Sequence, residues 1–483
     1  MIDTTLGKLA AKGAVFLAVL TFVKKFLGIV RNVVLARLLT PEDFGLMALA
    51  MVLIEGMYSL TNVNILKYLI QKKNIDDTTI GNAWFLNIVR GLLLTFLALS
   101  LCPLYSRLLK EPSTLQVLWI VAFIPMLEGL KNPGSILAER EIQFGRISTY
   151  ETICTILEVA VVVLVAFIIR DVKALAWGLL FGVFIKSLLS YFLFTIPGKP
   201  KFDVPHQIEI LSVAKHFAFI SAGTLIMTQG DNLIVGALQG SEQLGLYVIA
   251  YQLAVFPVQF LQQIASRVAM PVFSSLQIQK DRLRSMVGNL MQMQMAIIIP
   301  FVIVMGVFSH DLITTLYGDK WSACSPILQV LMLVTLGKGV THVCVPYIVG
   351  TGAFSFASRM KLAETVLFLI VVYLGTRYFG LMGAALGAGT GYMAAGIGRL
   401  IYMCRKSNIK FLRVSRYTLI PVMAVLPGIL AANFMANTVT WHRNIETVTI
   451  LTITCVSYAG FSLLLQRNLA DVFFRKILSK TGS

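Results

Sequence analysis

Apolar runs of about twenty residues recur from one end of the chain to the other, broken by short polar stretches. A helix needs about 20 mostly apolar residues to cross the hydrocarbon core of a bilayer. On that criterion the pattern predicts fourteen spans: 14–38, 44–70, 80–101, 115–131, 148–169, 174–195, 213–238, 243–266, 288–308, 326–350, 361–377, 380–402, 417–436 and 447–465. The fourth is short and carries Pro125 and Glu128, and its helix can extend through Lys131 toward Arg140. The expected fold class is an all-α integral membrane protein.

The placement of positive charge tests this count, because Lys and Arg accumulate in cytoplasmic loops. With the N-terminus inside, the inner segments hold 26 of the 41 basic residues and the outer segments 7. Every inner loop outweighs its outer neighbours. A missed or extra helix would invert the pattern downstream, so both termini are expected in the cytoplasm.

Residues 31–53 and 231–253 repeat one another at a constant offset of 200, with identity at Asn32/Asn232, Leu38/Leu238, Glu42/Glu242, Gly45/Gly245, Leu46/Leu246, Ala50/Ala250 and Leu53/Leu253. Both copies end one helix, turn on the outer face and open the next helix with Gly-Leu. The same direction of travel makes the halves parallel repeats of six helices, related by an axis along the membrane normal. The expected organisation is a six-helix lobe over 1–197, a second over 198–404, and accessory helices 13 and 14 with a basic tail over 405–483.

Composition agrees. The 483 residues have a mean hydropathy of +0.80, are 57% hydrophobic and only 13% charged, where a soluble domain carries roughly 25% charged residues. The formal charge is +18. Its Lys and Arg lie in short loops between apolar runs and not on one solvated face, which points to membrane orientation and anionic lipid and away from nucleic acid. Six scattered cysteines (Cys102, Cys154, Cys324, Cys344, Cys404, Cys455) form no CxxC and read as small apolar packing residues. No cleavable signal peptide is expected, since Lys24, Lys25 and Arg31 interrupt the first apolar stretch.

Charges inside membrane spans are costly and usually face a bundle interior or a watery cavity. Eight basic residues lie there: Lys24, Lys25, Arg31, Arg37, Arg90, Lys186, Lys338 and Arg399. Acids there include Glu55, Glu128, Glu158, Asp231 and Glu364. Arg37, Lys186 and Arg399 can snorkel to an interface. Lys24 and Arg31, seven apart, share a helix face, and with Lys25 and Arg90 they are the candidates for binding a phosphate or pyrophosphate. Arg31 aligns with Asp231 in the repeat. Asp231, together with Lys338 and His342 (one helical turn apart on the tenth span), is a candidate for coupling or gating. A permanent structural ion pair or a satisfied core histidine is the plainer alternative.

Three further stretches stand out. Leu312, Ile313, Leu316, Tyr317 and Trp321 fit a helix lying in the outer interface. Residues 271–287 make a similar inner segment with Lys280, Arg282 and Arg284. Gly383, Gly387, Gly391 and Ala395 form a stripe of small residues that lets another helix approach closely. No GxxxxGK[ST], no HExxH and no outer-loop DxD occurs. No enzyme activity, cofactor or metal site is expected.

The stretches RNVVLARLLTPEDFGLMALA (31–50), PVFSSLQIQKDRLR (271–284), LYGDKWSACSPILQVL (316–331) and GLMGAALGAG (380–389) resemble the Wzx-type polysaccharide flippases, within the multidrug/oligosaccharidyl-lipid/polysaccharide exporter superfamily. The resemblance implies two six-helix lobes around a central cavity that alternates between inward-open and outward-open forms. It implies an undecaprenyl-pyrophosphate-linked oligosaccharide as substrate, moved from the cytoplasmic to the periplasmic face of a bacterial inner (plasma) membrane for O-antigen, capsule or exopolysaccharide synthesis. Polysaccharide polymerase and chain-length proteins are the implied partners beside membrane lipid. Basic residues of the first helix line the cavity in such proteins, matching Lys24, Lys25 and Arg31 by location, whereas Asp231 departs from a purely basic lining. A multidrug or metabolite cation antiporter of the same superfamily and a peptidoglycan-precursor lipid flippase are the alternatives. A membrane-embedded glycosyltransferase or ligase would need the acidic outer-loop motif that is missing.

Overall fold

The computed structural model describes residues 2–61, 76–141, 143–196, 198–275, 279–407, 419–427 and 458. All regular structure among them is helical. In chain order the helices are α1 (Ile2–Leu38), α2 (Pro41–Thr61), α3 (Asp77–Leu108), α4 (Thr114–Val121), α5 (Ile124–Gly129), α6 (Gly134–Arg140), α7 (Phe144–Ile169), α8 (Val172–Leu193), α9 (Val204–Ser275), α10 (Lys280–Val307), α11 (Ser309–Tyr317), α12 (Cys324–Gly350) and α13 (Phe354–Ser407). Seven described helices are long and apolar enough to cross a membrane, or eight if the bent α4–α6 segment counts as one. Phe96, Leu164, Ile168 and Phe192 stand exposed on them, as side chains that meet lipid would.

Apart from the fourth, the first twelve predicted spans lie on these helices wherever they are described, two pairs being joined; 62–70 of the second lies outside the described residues. The 72-residue α9 breaks at Gly240, whose φ of 83° is left-handed, and the 54-residue α13 breaks at Gly380, with φ 59°. Only Gly adopts such backbone at little cost, so each glycine lets a long helix fold back as a hairpin. Of the last two predicted spans, 419–427 is helical. The rest of 417–436, and 447–465 apart from Tyr458, lie outside the described residues, as do Lys67, Lys72 and Lys73.

The fourth predicted span is not one helix. α4 and α5 are followed by α6 at a bend of 60°. The buried Asn132 holds the break: its amide donates to the Ser190 and Phe194 carbonyls and its Oδ1 accepts from the Gly134 N–H.

The chain divides into two compact units, Met1–Val248 and Ile249–Ser483. In the first, Leu46, Ala50 and Ile54 of α2 pack on Leu94 and Ala98 of α3, Val117 and Val121 of α4, and Ala176 of α8. In the second, Phe273, Val287, Met291 and Tyr347 anchor a core between α9, α10 and α12. Phe273, Leu283 and Val287 thus bury the apolar face predicted for 271–287.

The stripe Gly383, Gly387, Gly391 and Ala395 packs as the sequence implies, against the preceding limb of α13. A Cβ on Gly383 would fall 1.9 Å from the Gly375 carbonyl oxygen, and one on Gly387 2.8 Å from that of Val371. Two expectations are corrected. α11 forms where the outer amphipathic helix was predicted, but its apolar face turns into protein: Leu312, Ile313 and Tyr317 are buried, and Trp321, in the 3-10 turn that follows, is wholly so. Burial pushes the Tyr317 hydroxyl up to about 12. Arg399 does not snorkel; it is buried and ion-paired to buried Glu364 on the other limb of α13. The five described cysteines are buried and form no disulfide with one another.

The two sequence repeats meet inside the first unit. Gly45 and Gly245, equivalent positions, each abut the opposite copy's backbone: a Cβ on Gly45 would lie 1.7 Å from the Ser241 carbonyl oxygen, and one on Gly245 1.8 Å from that of Pro41. The helix openings differ in how they are capped. Thr40 and Asp43 satisfy each other at the start of α2, through Thr40 N–H to Asp43 Oδ2 (2.8 Å) and Asp43 N–H to Thr40 Oγ1 (3.3 Å). The second copy has Gly240 where the first has Thr40. There the Ser241 N–H donates to Glu111 Oε1 at 2.9 Å, a cap brought from the turn between α3 and α4.

Candidate functional site

The first unit holds a continuous set of charges among its membrane-spanning helices. α1 contributes Lys24 and Arg31, two turns apart on one face. α7 contributes Glu151 and Glu158 at the same spacing. Lys24 Nζ donates to Glu151 Oε2 at 2.5 Å and Arg31 Nη1 to Glu158 Oε1 at 2.8 Å. Both pairs span 127 residues of sequence, so α1 and α7 run parallel in fixed register and the pairs form two rungs. Neither is sealed: the side chains are 22% and 44% exposed in the first rung, 32% and 28% in the second.

Small residues make room for the rungs. Gly182 of α8 sits against Glu158, where a Cβ would fall 2.5 Å from Glu158 Cγ, and Gly178 packs on Val162 in the same way. Lys25 is half-buried beside Lys24.

More cations converge from the broken α5–α6 segment and from α8. Lys131, next to the anchoring Asn132, stands 5.6 Å over the Tyr150 ring. The Tyr150 hydroxyl donates to the Lys186 carbonyl at 2.5 Å. Lys131 interacts electrostatically with Lys186, Glu128 and Glu151. On α3, Arg90 lies 5.4 Å over the Tyr58 ring and interacts with Glu128. Arg90 and Glu128 come together because Gly91 and Gly129 let α3 and α5 touch: a Cβ on Gly91 would lie 2.5 Å from the Pro125 oxygen.

Glu151, Lys131 and Glu128 thus link Lys24 and its neighbour Lys25 to Arg90, while the Arg31–Glu158 pair lies two turns along the same α1–α7 seam. Asp231 is buried in the same unit, where the Tyr247 hydroxyl donates to its Oδ2 at 2.9 Å and the Asn232 N–H to its Oδ1 at 3.0 Å. Glu55 accepts from the Gln229 amide.

Lys338 and His342 belong to the second unit. Lys338 Nζ donates to the Tyr251 hydroxyl at 2.7 Å and lies 4.9 Å and 4.5 Å over the Tyr251 and Tyr392 rings, which suits an ammonium out of water. His342 Nδ1 is buried with no hydrogen-bond partner.

Sequence reasoning passed over Glu151, Lys131 and Lys186 as members of this site. The signal was available for Glu151: it stands seven before Glu158, as Lys24 stands seven before Arg31.

The arrangement is rich in cations, two of which are paired with the protein's own carboxylates. Comparison with known proteins gives it a context. The family model described as "Polysaccharide biosynthesis protein" matches residues 34–326, more than half of the chain. The lipopolysaccharide biosynthesis protein WzxC of Escherichia coli (strain K12) is 25% identical over 387 residues, which cover 78% of this chain and 77% of WzxC. Among solved structures, the lipid II flippase MurJ in an inward closed conformation superposes with a TM-score of 0.73 at 16% identity, over 94% of this chain and 99% of that one. An inward-facing multidrug resistance MATE family transporter of the MOP superfamily gives 0.62 at 13% identity, over 82% and 98%. These likenesses establish the fold of a multi-pass membrane transporter, and by the extent of the family match the chain belongs to the polysaccharide biosynthesis protein family.

Proposed function

We infer that this protein is a flippase for a lipid-linked oligosaccharide used in surface polysaccharide synthesis. The observation that carries the inference is an excess of cations among membrane-spanning helices. Lys24, Lys25, Arg31, Arg90, Lys131 and Lys186 lie in the first unit with three carboxylates, Glu128, Glu151 and Glu158, as their partners. A cationic drug would be repelled by that balance, and a diphosphate is attracted by it. Kinship with polysaccharide biosynthesis proteins supplies the rest of the cargo. A sugar chain is too polar to cross hydrocarbon unaided. A wet basic site shelters the head while the lipid tail stays in the bilayer.

The substrate in this reading is an undecaprenyl-diphosphate-linked repeat unit, carried from the cytoplasmic to the periplasmic face of a bacterial inner membrane. An inside-negative potential assists outward movement of an anion by about 2.3 kcal/mol per charge per 100 mV. The loop charges and the offset-200 repeat support fourteen spans with both termini inside, and lobes over 1–197 and 198–404 that rock about the site. Product handed to the outer face would meet polymerase and chain-length proteins there.

The test is a deletion strain of the native host, with its polyprenyl-linked oligosaccharides extracted and their sidedness measured. Accumulation on the cytoplasmic face is expected, relieved by the intact gene and not by Lys24→Gln or Arg31→Gln. Normal lipid-linked sugar with altered tolerance to cationic compounds would refute the reading in favour of an antiporter.

A further inference from the structure

The two rungs between α1 and α7 raise a question the transport reading leaves open. A site meant for an anionic head group already contains anions, placed one to one on its cations. Lys24 is held by Glu151 at 2.5 Å and Arg31 by Glu158 at 2.8 Å. A carboxylate and a phosphate oxygen compete for the same N–H donors.

We propose that Glu151 and Glu158 are resident counter-ions for the substrate's diphosphate: they neutralise Lys24 and Arg31 while the site is empty, and the diphosphate takes their place when it binds. The proposal rests on the flippase reading and names residues that set the strength of the site.

Three observations favour exchange over a fixed strut. The pairs are not sealed in protein, with Glu151 44% and Glu158 28% exposed, so a ligand can reach them. Contrast the Arg399–Glu364 pair, whose side chains are 10% and 5% exposed; that one is built as a strut. Second, Glu151 has somewhere to go. Lys131 interacts with it electrostatically and Lys186 stands beside Lys131, so a carboxylate leaving Lys24 is not stranded. Third, Glu158 lies against glycine: Gly182 leaves the flank of its side chain without a Cβ.

Exchange has a consequence for transport. A bare array of cations in a membrane span is costly and would hold a diphosphate too long. Resident carboxylates lower the affinity and return to the cations as the diphosphate leaves, which favours release. Removing them should tighten binding and slow release.

The experiment uses the full-length protein in detergent with undecaprenyl diphosphate as the probe. Glu151→Gln and Glu158→Gln should each bind it about fivefold more tightly than the wild type, the scale of one part-exposed ion pair, and release it correspondingly more slowly. Glu151→Asp, which keeps the charge, should bind as the wild type does. A second readout needs no variant: on the wild type, a hydrophobic carbodiimide should label Glu151 and Glu158 faster once undecaprenyl diphosphate is present, because displacement frees them. Unchanged or weaker binding by both Gln variants, or, should they not fold, carbodiimide labelling that the probe leaves unaltered, would overturn the exchange and leave the flippase reading standing. A wild type that binds no undecaprenyl diphosphate would overturn both.

Discussion

Substituting Gly45 and Gly245 separately and together tests whether the two repeats touch as the structure has them. A Cβ on Gly45 would sit 1.7 Å from the Ser241 carbonyl oxygen and 2.6 Å from its carbon; on Gly245, 1.8 Å and 2.6 Å from the same atoms of Pro41. Both obstacles are backbone, so no side chain can swing aside. Carbon needs about 3.5 Å for ordinary contact, so either alanine must push the two copies roughly 1.8 Å apart. Overpacking of this kind costs about 1–3 kcal/mol. The equivalence of the sites sharpens the expectation. Gly245 also faces Gly45 itself, with a Cβ placed 3.1 Å from the Gly45 nitrogen, so one separation makes room for both methyls. Gly45→Ala and Gly245→Ala should each lower the unfolding midpoint of the detergent-solubilised protein. The double variant should fall short of the sum, by about 1 kcal/mol or more, as for sites that share one displacement. Export of lipid-linked sugar should drop with either single change. A silent single variant, or losses that add to within about 0.5 kcal/mol, would refute the shared contact.

Other positions give quicker tests. Gly182→Ala places a methyl 2.5 Å from Glu158 Cγ and should pull that carboxylate off Arg31, raising undecaprenyl diphosphate affinity as Glu158→Gln does; unchanged affinity would contradict the packing. Glu364→Gln strands a buried Arg399 and should cost about 3–5 kcal/mol, whereas replacing both partners together, Glu364→Leu with Arg399→Met, should cost much less; thermal midpoints decide. Trp321→Ala empties a wholly buried site and should cost about 3–5 kcal/mol, against almost nothing if α11 lay in lipid. Glu111→Ala removes the cap on Ser241 and should cost about 1 kcal/mol, visible as faster amide exchange in the first turn after Gly240.

The sequence made helix positions legible because a bilayer imposes length and apolarity directly on each span. It left partners illegible wherever two environments ask for the same pattern. Leu312, Ile313, Tyr317 and Trp321 present one amphipathic face whether they meet lipid or protein, and they meet protein. Arg399 looked able to snorkel because its acid, Glu364, lies on the far limb of a hairpin whose turn depends on one left-handed glycine. The fourth span read as one helix with an uncertain end, since the bend is held by Asn132, whose ligands come from α8. Lys24 and Arg31 were legible as one face. What they face was not, for it depends on α1 packing on α7. Glu151 was missed for its place near the start of its span, where a charge ordinarily needs no explanation.

The repeat shows how an anion site can arise on a symmetric frame. Backbone equivalence is close: Gly45 and Gly245 make mirrored contacts with Ser241 and Pro41. Charge equivalence is absent. At the offset of 200, Lys24 becomes Thr224, Lys25 becomes Leu225 and Arg31 becomes Asp231. Asp231 is buried and held by Tyr247, where its counterpart Arg31 is part-exposed and held by an exchangeable carboxylate. A helix pair can be duplicated without duplicating its electrostatics, because the glycine contacts that seat the copies lie on other residues than the ones that carry charge. The cations at these positions are therefore gathered on the first copy, and on the proposed reading a diphosphate would be drawn to α1 and not shared between equal halves. A mechanism built on two symmetric phosphate clamps would need a basic residue at 231, and Asp231→Arg should not restore one: it would put an uncompensated guanidinium against the Tyr247 hydroxyl and lose folded protein, while Asp231→Asn keeps the hydrogen bond and the fold.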